Sequence, residues 1–342
     1  MARATLKDVA ARAGVSRSTA SLVVSGSSRI SPQTSERVRR AMAELGYVYD
    51  RSAANLRRAR TGTLGLVLTD LSNPYFAALV MALEDQVHRE GRTLLIGCSR
   101  DDAARQAELL TAMAEHRVDG VLLLPAHAST ADVTAPLDAH GIPLVMFARH
   151  LSGPTPYVGP DNVEAGRLLG RHLAATGMRS VVLLGGPPDS SAWRERSEGL
   201  RAGAAGAFEL VTEPATGVET AAAAADAVAE LLGGGAWPDC IVGYNDVVAM
   251  GVATGLRRAG VTPGPDVAVA GFDDIPAAEQ QVPPLTSVAT RAEEVGRTCA
   301  AVLLDLLAGQ TVVTGPRLVP PALRVRASTG SWRPRRHRPD VP

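Results

Sequence analysis

The sequence contains no stretch of ~18 or more consecutive apolar residues, the least that a membrane-spanning helix needs, and its first residues lack the apolar run of an export signal. A cytoplasmic protein without membrane contact is expected. Cysteine is scarce: Cys98, Cys240 and Cys299 are the only three. They are far apart and odd in number, and two lie in apolar, strand-like runs, so reduced thiols are expected rather than a disulfide framework. The seven histidines show no ligand spacing, which removes the usual basis for a zinc site. No cofactor is implied. A G-x-S-x-G elbow, a G-x-x-x-x-G-K-S/T phosphate loop and a G-x-G-x-x-G fingerprint behind the first strand are all absent, so the common hydrolytic, kinase and dinucleotide chemistries have no carrier. Asp273 and Asp274 are adjacent carboxylates, but neighbours in sequence point apart, whereas a glycosidase needs two carboxylates facing across a substrate. A non-enzymatic role is expected. Lys7 is the only lysine, which reads as coding bias.

What is present is unevenly distributed. The whole chain has a formal net charge of zero, yet residues 1–61 hold twelve Arg or Lys against four Asp or Glu. The remainder is correspondingly acidic. A positive surplus confined to one small segment points to phosphate as its partner.

That segment also carries a helical pattern. In TLKDVAARAGVSRSTASLVV, Thr5 is placed to cap a first helix whose Leu6, Val9, Ala10 and Ala13 fall on one face. Gly14 suits the left-handed backbone of a tight exit, Val15 tucks under the corner, and Ser16 caps a second helix from about Arg17 to Val24. Ala20, Val23 and Val24 point inward, which leaves Arg17, Ser18, Ser21 and Leu22 to meet a major groove. Ser31-Pro32 opens a third helix with Val38, Met42 and Leu45 as its stripe and Gly46 as its stop.

The motifs LKDVAARAGVS, SPQTSERV, LGYVYDRSAANLRR, DLSNPYF, VGPDN, YNDVVAMG, GFDDIPAAE and PPLTSV together resemble the lactose-repressor/galactose-repressor family of transcription regulators, over most of the chain to about Gly330. The resemblance implies a ligand-controlled repressor of carbohydrate-utilisation genes that acts as a homodimer on a near-palindromic operator and is released by a small sugar-like effector. A corepressor-dependent regulator of a non-sugar metabolite such as a purine, a transport-type sugar-binding protein and a sugar-acting enzyme are the alternatives. Expected DNA contacts are Arg17 and Ser18 as leading base readers, with Thr5, Leu6, Arg12, Ser16, Thr19, Ser21, Leu22 and Arg29 beside them. The polar, basic stretch 47–61 is too short to hold a helix alone. In the resembled family it is a hinge helix in the minor groove, with Leu56 as the wedge and Ala53 and Arg57 at the duplex. Two departures stand out: Leu22 where many relatives have arginine, and Tyr49-Asp50 where a proline-asparagine pair is common.

From Leu64 onward strand-like runs alternate with helical ones, and the rhythm restarts near residue 163, which predicts two doubly wound α/β lobes with parallel sheets. The expected organisation is a helix-turn-helix headpiece over 1–49, a hinge over 50–61, a first lobe over 62–160 and 291–321, a second lobe over 161–290 and 322–330, and a basic tail over 331–342. The return of the chain to the first lobe, as in periplasmic binding proteins, follows from the resemblance. Ligands bind at the carboxyl ends of such strands. Asn73, Tyr75, Phe76, Arg149, Asp161, Arg196, Asn245 and Asp273 fall there, and amides, carboxylates and arginines flanked by aromatics suit a polyhydroxyl ligand. Trp193 would add stacking. By resemblance, Arg196, Asn245 and Asp273 hold positions that commonly contact effector. The tail has no apolar heptads, so no terminal coiled coil is expected.

Overall fold

The protein is described here by a computed structural model covering residues 4–24, 27, 29–48, 60–213, 218–233, 237–311 and 315–333. Tyr49-Asp50, the hinge residues Ala53, Leu56 and Arg57, and the tail from 334 lie outside the described residues. The chain divides between Thr61 and Gly62 into two units, each with its own core.

In the first unit, helix α1 (Leu6–Ala13) is closed by a reciprocal cap: the Thr5 hydroxyl accepts from the Asp8 amide and the Asp8 carboxylate accepts from the Thr5 amide. A cap of this kind is worth about 1 kcal/mol. Gly14 ends the helix at φ 64°, a conformation that costs a side-chain-bearing residue energy. The chain therefore turns at once into α2 (Arg17–Val24), where the Ser16 hydroxyl accepts from the Thr19 amide at 3.0 Å. Helix α3 (Pro32–Leu45) starts at a Ser31 cap and ends at Gly46 in the left-handed region. Val9, Ala10, Ala13, Ala20, Val23, Val38 and Ala41 form the buried centre, with Leu6, Val15, Ile30, Met42, Leu45 and Tyr47 packed around it.

The second unit is built from two six-stranded sheets. The first has the order β11-β5-β4-β3-β1-β2, from β1 (Thr63–Leu68), β2 (Thr93–Cys98), β3 (Gly120–Leu123), β4 (Leu144–Phe147), β5 (Tyr157–Pro160) and β11 (Pro316–Val319). The second has the order β12-β10-β9-β8-β6-β7, from β6 (Ser180–Leu184), β7 (Glu209–Glu213), β8 (Cys240–Gly243), β9 (Ala268–Asp273), β10 (Thr286–Ala289) and β12 (Ala322–Arg324). All pairings are parallel except β10 with β12. The inner strands are buried on both faces, so they read as continuous apolar runs.

Helices α4 (Pro74–Arg89), α5 (Ala103–Glu115), the short α6 (Ala135–Asp138) and α12 (Ala292–Leu307) pack with the first sheet. Helices α7 (Asn162–Ala175), α8 (Ser191–Ala204), α9 (Ala221–Gly233), α10 (Asp246–Arg258), the short α11 (Pro276–Gln280) and α13 (Ala327–Gly330) belong to the second lobe. The chain passes between lobes three times, near residues 161, 290 and 320.

Two local differences from the sequence pattern have physical reasons. Between β3 and β4 the alternation yields no full helix but a 3-10 turn (Ala131–Thr134) followed by one α-turn, since Pro136 cannot donate and Gly141 ends the segment. Strands β5, β10, β11 and β12 are only three or four residues long, with sequences YVGP, TSVA, PRLV and ALR. None shows an apolar run, and they form because a neighbouring strand supplies their partners.

Close packing of α7 on α8 fixes the second lobe. A Cβ on Gly199 would lie 2.1 Å from the Val163 carbonyl oxygen, and one on Gly166 would lie 2.3 Å from the Arg196 carbonyl oxygen. Only bare backbone fits there, and the close approach brings Asn162 at the start of α7 against Arg196 on α8.

Candidate functional site

The loops that leave the carboxyl ends of the strands in both sheets meet around a cavity of about 320 Å³. From the first lobe come Asp70, Asn73, Tyr75, Phe76, Asp101 and Arg149; from the second, Arg196, Glu219, Tyr244, Asn245 and Asp273.

Arg196 is the best-defined group. Its guanidinium lies between two rings, 5.0 Å from the centroid of Tyr244 and 4.8 Å from that of Phe272. Nε donates to Asn162 Oδ1 at 3.0 Å and Nη1 donates to the Tyr244 carbonyl at 2.6 Å. Those bonds and rings fix its plane, so Nη2 reaches toward Asp273.

Asp273 is buried but poorly satisfied. Its three contacts are long: Arg196 Nη2 at 3.4 Å, Thr290 Oγ1 at 3.3 Å and Asn73 Nδ2 at 3.4 Å. Good charge-assisted bonds are about 2.7–2.9 Å. Burial pushes the carboxyl pKa up, while Arg196, Asn73 and Thr290 pull it down. A ligand hydroxyl at ordinary distance would supply what these partners do not. The Tyr75 hydroxyl is likewise buried and makes no well-formed hydrogen bond, and burial followed by the Asp273 charge holds its proton on.

The backbone at Asp273 and Asp274 is strained, at φ 113° and 55°. Such conformations persist where surrounding bonds over-determine them. Asp246, fully buried, does this: Oδ2 accepts from the Ile275 amide at 3.0 Å, and Oδ1 accepts at 2.6 Å from Ser287 Oγ, which in turn accepts from the Asp274 amide. The two adjacent carboxylates part, Asp273 toward the cavity and Asp274 to Arg326 at 2.7 Å.

At the other end Arg149 Nη1 donates to both Asp101 oxygens, at 2.8 and 3.0 Å. Burial opposes its charge, but Tyr244 and Asp101 outweigh that and raise its pKa. Glu219 stands at the mouth. Although the residue as a whole is exposed, partial burial of its carboxyl and the Asp101 charge raise its pKa. Phe76 meets Tyr75 edge-on, centroids 5.3 Å apart.

Of the residues expected from sequence, Asn73, Tyr75, Phe76, Arg149, Arg196, Asn245 and Asp273 line this cavity. Asn245 also caps α10, accepting from the Val248 amide at 2.9 Å. Asp161 and Trp193 do not line it. Asp161 is turned to the Glu164 amide as the cap of α7, and the Trp193 indole donates to the Gly185 carbonyl at 3.1 Å, behind the wall. Sequence reading missed Asp101, Glu219, Tyr244 and the supporting Asn162 and Asp246. Tyr244 was legible as the residue after an apolar strand; Asp101 and Glu219 sit in loops with no such marker.

In the first unit, Arg17, Ser18 and Leu22 are exposed on α2, and Arg29 is exposed beyond it. Ser16, Ser18 and Thr19 hydroxyls share hydrogen bonds, Ser16 to Ser18 at 2.7 Å. Arg12 is engaged by Glu44 at 2.6 Å, as Arg40 is at 3.0 Å, so its guanidinium is held in an ion pair inside the headpiece. Among the described residues no group of His, Cys, Asp or Glu is arranged to hold a metal, and no helix is long and apolar enough to cross a membrane.

A helical unit exposing a polar, arginine-bearing recognition helix, followed by a two-lobed binding core, defines a ligand-responsive DNA-binding regulator. Comparison with known proteins agrees: residues 5–50 match the bacterial regulatory proteins of the lacI family and residues 64–311 match the periplasmic binding protein domain. The chain belongs to the lacI family of bacterial transcription regulators. It is 35% identical to the HTH-type transcriptional regulator CelR of Thermobifida fusca over 95% of this chain and 98% of that one. It is 32% identical to the maltose regulon regulatory protein MalI of Escherichia coli over 93% and 97%. Among solved structures it resembles the lac repressor dimer bound to operator and the anti-inducer ONPF, with TM-score 0.84 and 27% identity over 96% of this chain and 99% of that one. It also resembles the CelR–cellobiose complex, with TM-score 0.71 and 33% identity over 95% and 100%. These relatives are regulators and not enzymes.

Proposed function

We propose that this protein is a cytoplasmic, homodimeric repressor that binds operator DNA through α1–α3 and releases it when a small saccharide, most readily a glucose disaccharide, occupies the cleft. The carrying observation is the buried Asp273 carboxylate, held only by long contacts and facing the cavity beside the firmly fixed Arg196 guanidinium and the poorly bonded Tyr75 hydroxyl. Polyhydroxyl ligands satisfy such groups, because a carboxylate and a guanidinium each engage neighbouring hydroxyls. A second charged station, Arg149–Asp101, stands at the other end, so a two-ring ligand has partners at both. One solved relative holds cellobiose, and another is named for the maltose regulon.

On DNA, Arg17 and Ser18 lead in reading bases, with Thr5, Leu6, Ser16, Thr19, Ser21, Leu22 and Arg29 at the duplex, and Ala53, Leu56 and Arg57 are assigned to the minor groove. Two headpieces are needed for a near-palindromic site, and the relative solved on operator is a dimer. Ligand lowers operator affinity only as far as it prefers the non-binding conformation.

The test takes an operator selected from a random duplex pool and follows its binding by fluorescence anisotropy with and without cellobiose and maltose. Full-length protein is expected to bind the selected duplex and lose affinity with one of the two sugars, while a chain beginning at Gly62 retains sugar binding without site-specific DNA binding. Retained site-specific binding by the shortened chain would contradict the division of labour, and indifference to both sugars would remove the disaccharide.

A further inference from the structure

A chain of polar contacts runs from the cleft arginine to the outer edge of the lobe junction. Asn162 accepts from Arg196 Nε through Oδ1 and donates through Nδ2 to Glu195 Oε2 at 3.1 Å. Glu195 Oε1 meets His150 Nε2 at 2.7 Å. His150 follows β4 in the first lobe, whereas Glu195, Asn162 and Arg196 belong to the second. From Arg196 the contacts continue through Asp273 to Asn73, again in the first lobe. The circuit thus crosses the lobe boundary twice, with Arg196 in its middle.

We propose that His150, Glu195 and Asn162 are positioning residues for effector binding, and that the His150–Glu195 bridge makes effector affinity depend on the protonation of His150. The proposal rests on the cleft being the effector site.

The chemistry of the chain requires this order. Asn162 is buried at 1% exposure, so both ends of its amide need partners. Its oxygen faces a guanidinium, which leaves the amide nitrogen to find an acceptor, and Glu195 is that acceptor. Without it the amide has reason to rotate, and Arg196 Nε loses its stop.

His150 brings the first lobe to the same carboxylate. Its backbone amide also donates to Ser191 Oγ at 2.9 Å, at the first turn of α8. Its ring lies 4.8 Å from that of Tyr157 on β5. The charged groups facing it are Glu195, which attracts the imidazolium, and Arg194, which opposes it, both on α8. The preceding Arg149 is turned to Asp101. The hydrogen bond to Glu195 raises the His150 pKa above the ordinary imidazole value, against burial.

Separating the lobes removes Glu195 and returns that pKa to ordinary. Closure therefore favours the protonated ring. For a pKa raised in the closed state, the added effector affinity is fully present below the ordinary imidazole pKa and is lost as pH rises through the raised one. A second cross-lobe pair, His127 Nδ1 to Asp189 Oδ1 at 2.5 Å, with Asp189 Oδ2 accepting from the Ala128 amide at 3.0 Å, lies at the mouth beside Asp101 and Glu219. It has to be separated from the first by experiment.

Two measurements on the full-length protein do so. Nitrogen NMR titration of the imidazoles, with His150 assigned by its loss in His150→Gln, is expected to place its midpoint above the ordinary value in the wild type and at or below that value in Glu195→Gln, where burial is no longer opposed by the carboxylate. Cellobiose affinity, read by calorimetry, is expected to fall by about threefold to tenfold between about pH 6 and about pH 8.5, and to be flat in His150→Gln but not in His127→Gln. An ordinary midpoint in the wild type, one unmoved in Glu195→Gln, or a pH slope that disappears only with His127→Gln overturns the proposal. If cellobiose binds at no pH while the midpoint behaves as expected, the bridge stands and the disaccharide reading fails instead.

Discussion

Arg196 shows how one side chain is specified by several parts of the chain. Its stem comes from α8, its plane is set by Asn162 and the Tyr244 carbonyl, and its faces are covered by Tyr244 and Phe272. A lysine keeps the charge but has no planar fork to use these fixtures. Arg196→Lys is therefore expected to leave operator affinity unchanged and to weaken effector binding by about 1.5–3 kcal/mol, the worth of hydrogen bonds to a charged group; calorimetry against the responding sugar, with anisotropy on the operator, checks both halves. An effector affinity within experimental error of wild type would move the ligand elsewhere in the cleft. Arginine and aspartate at these positions were legible from the sequence because they follow apolar strands. Asp161 and Trp193 were legible in the same way and are turned to other work, since helix capping and indole bonding draw on the same residue types as ligand binding does.

At the scale of elements, helix packing decides where those side chains stand. Gly166 and Gly199 let the backbones of α7 and α8 touch, and the site inherits its precision from that contact. Gly199→Val would force the helices apart at the point where Asn162 meets Arg196. Overpacking of this kind costs about 1–3 kcal/mol, and the expected result is a lower melting temperature together with weakened sugar binding; stability and binding both at wild-type level would show that the helices yield without cost. The headpiece elements were readable in advance, since caps and glycine exits are local. The short strands β5, β10, β11 and β12 were not, because their hydrogen-bond partners lie far away in sequence. Nothing in the four residues TSVA calls for a strand until β9 and β12 flank them.

At the scale of the molecule, the first lobe leaves apolar surface uncovered. Met81 on α4 is 62% exposed, and Leu95 and Ile96 on the edge strand β2 are 37% and 41% exposed, with Leu71 nearby in sequence at 43%. An exposed apolar edge strand invites pairing with another chain, and the relative solved on operator is a dimer. Met81→Glu combined with Ile96→Glu is expected to yield a folded monomer by analytical ultracentrifugation, with the preference for the full operator over its half-site lost. A dimer that survives both charges would place the interface elsewhere.

By itself the amino-acid order determined the headpiece and the alternation of strand and helix. Both arise from contacts between residues three or four apart, or from runs buried on two faces, and such patterns are written along the chain. Only the tertiary structure decided which polar residues form the cleft. Tyr244, Asp101 and Glu219 converge there because parallel strands deliver loops from distant parts of the sequence to one edge, and Arg12 turns to Glu44 because α1 packs against α3. The strain at Asp273, held by a buried Asp246, and the circuit from His150 through Glu195 and Asn162 to Arg196 belong to the same class. Each depends on distances between segments that the sequence keeps far apart and the fold brings within hydrogen-bonding reach.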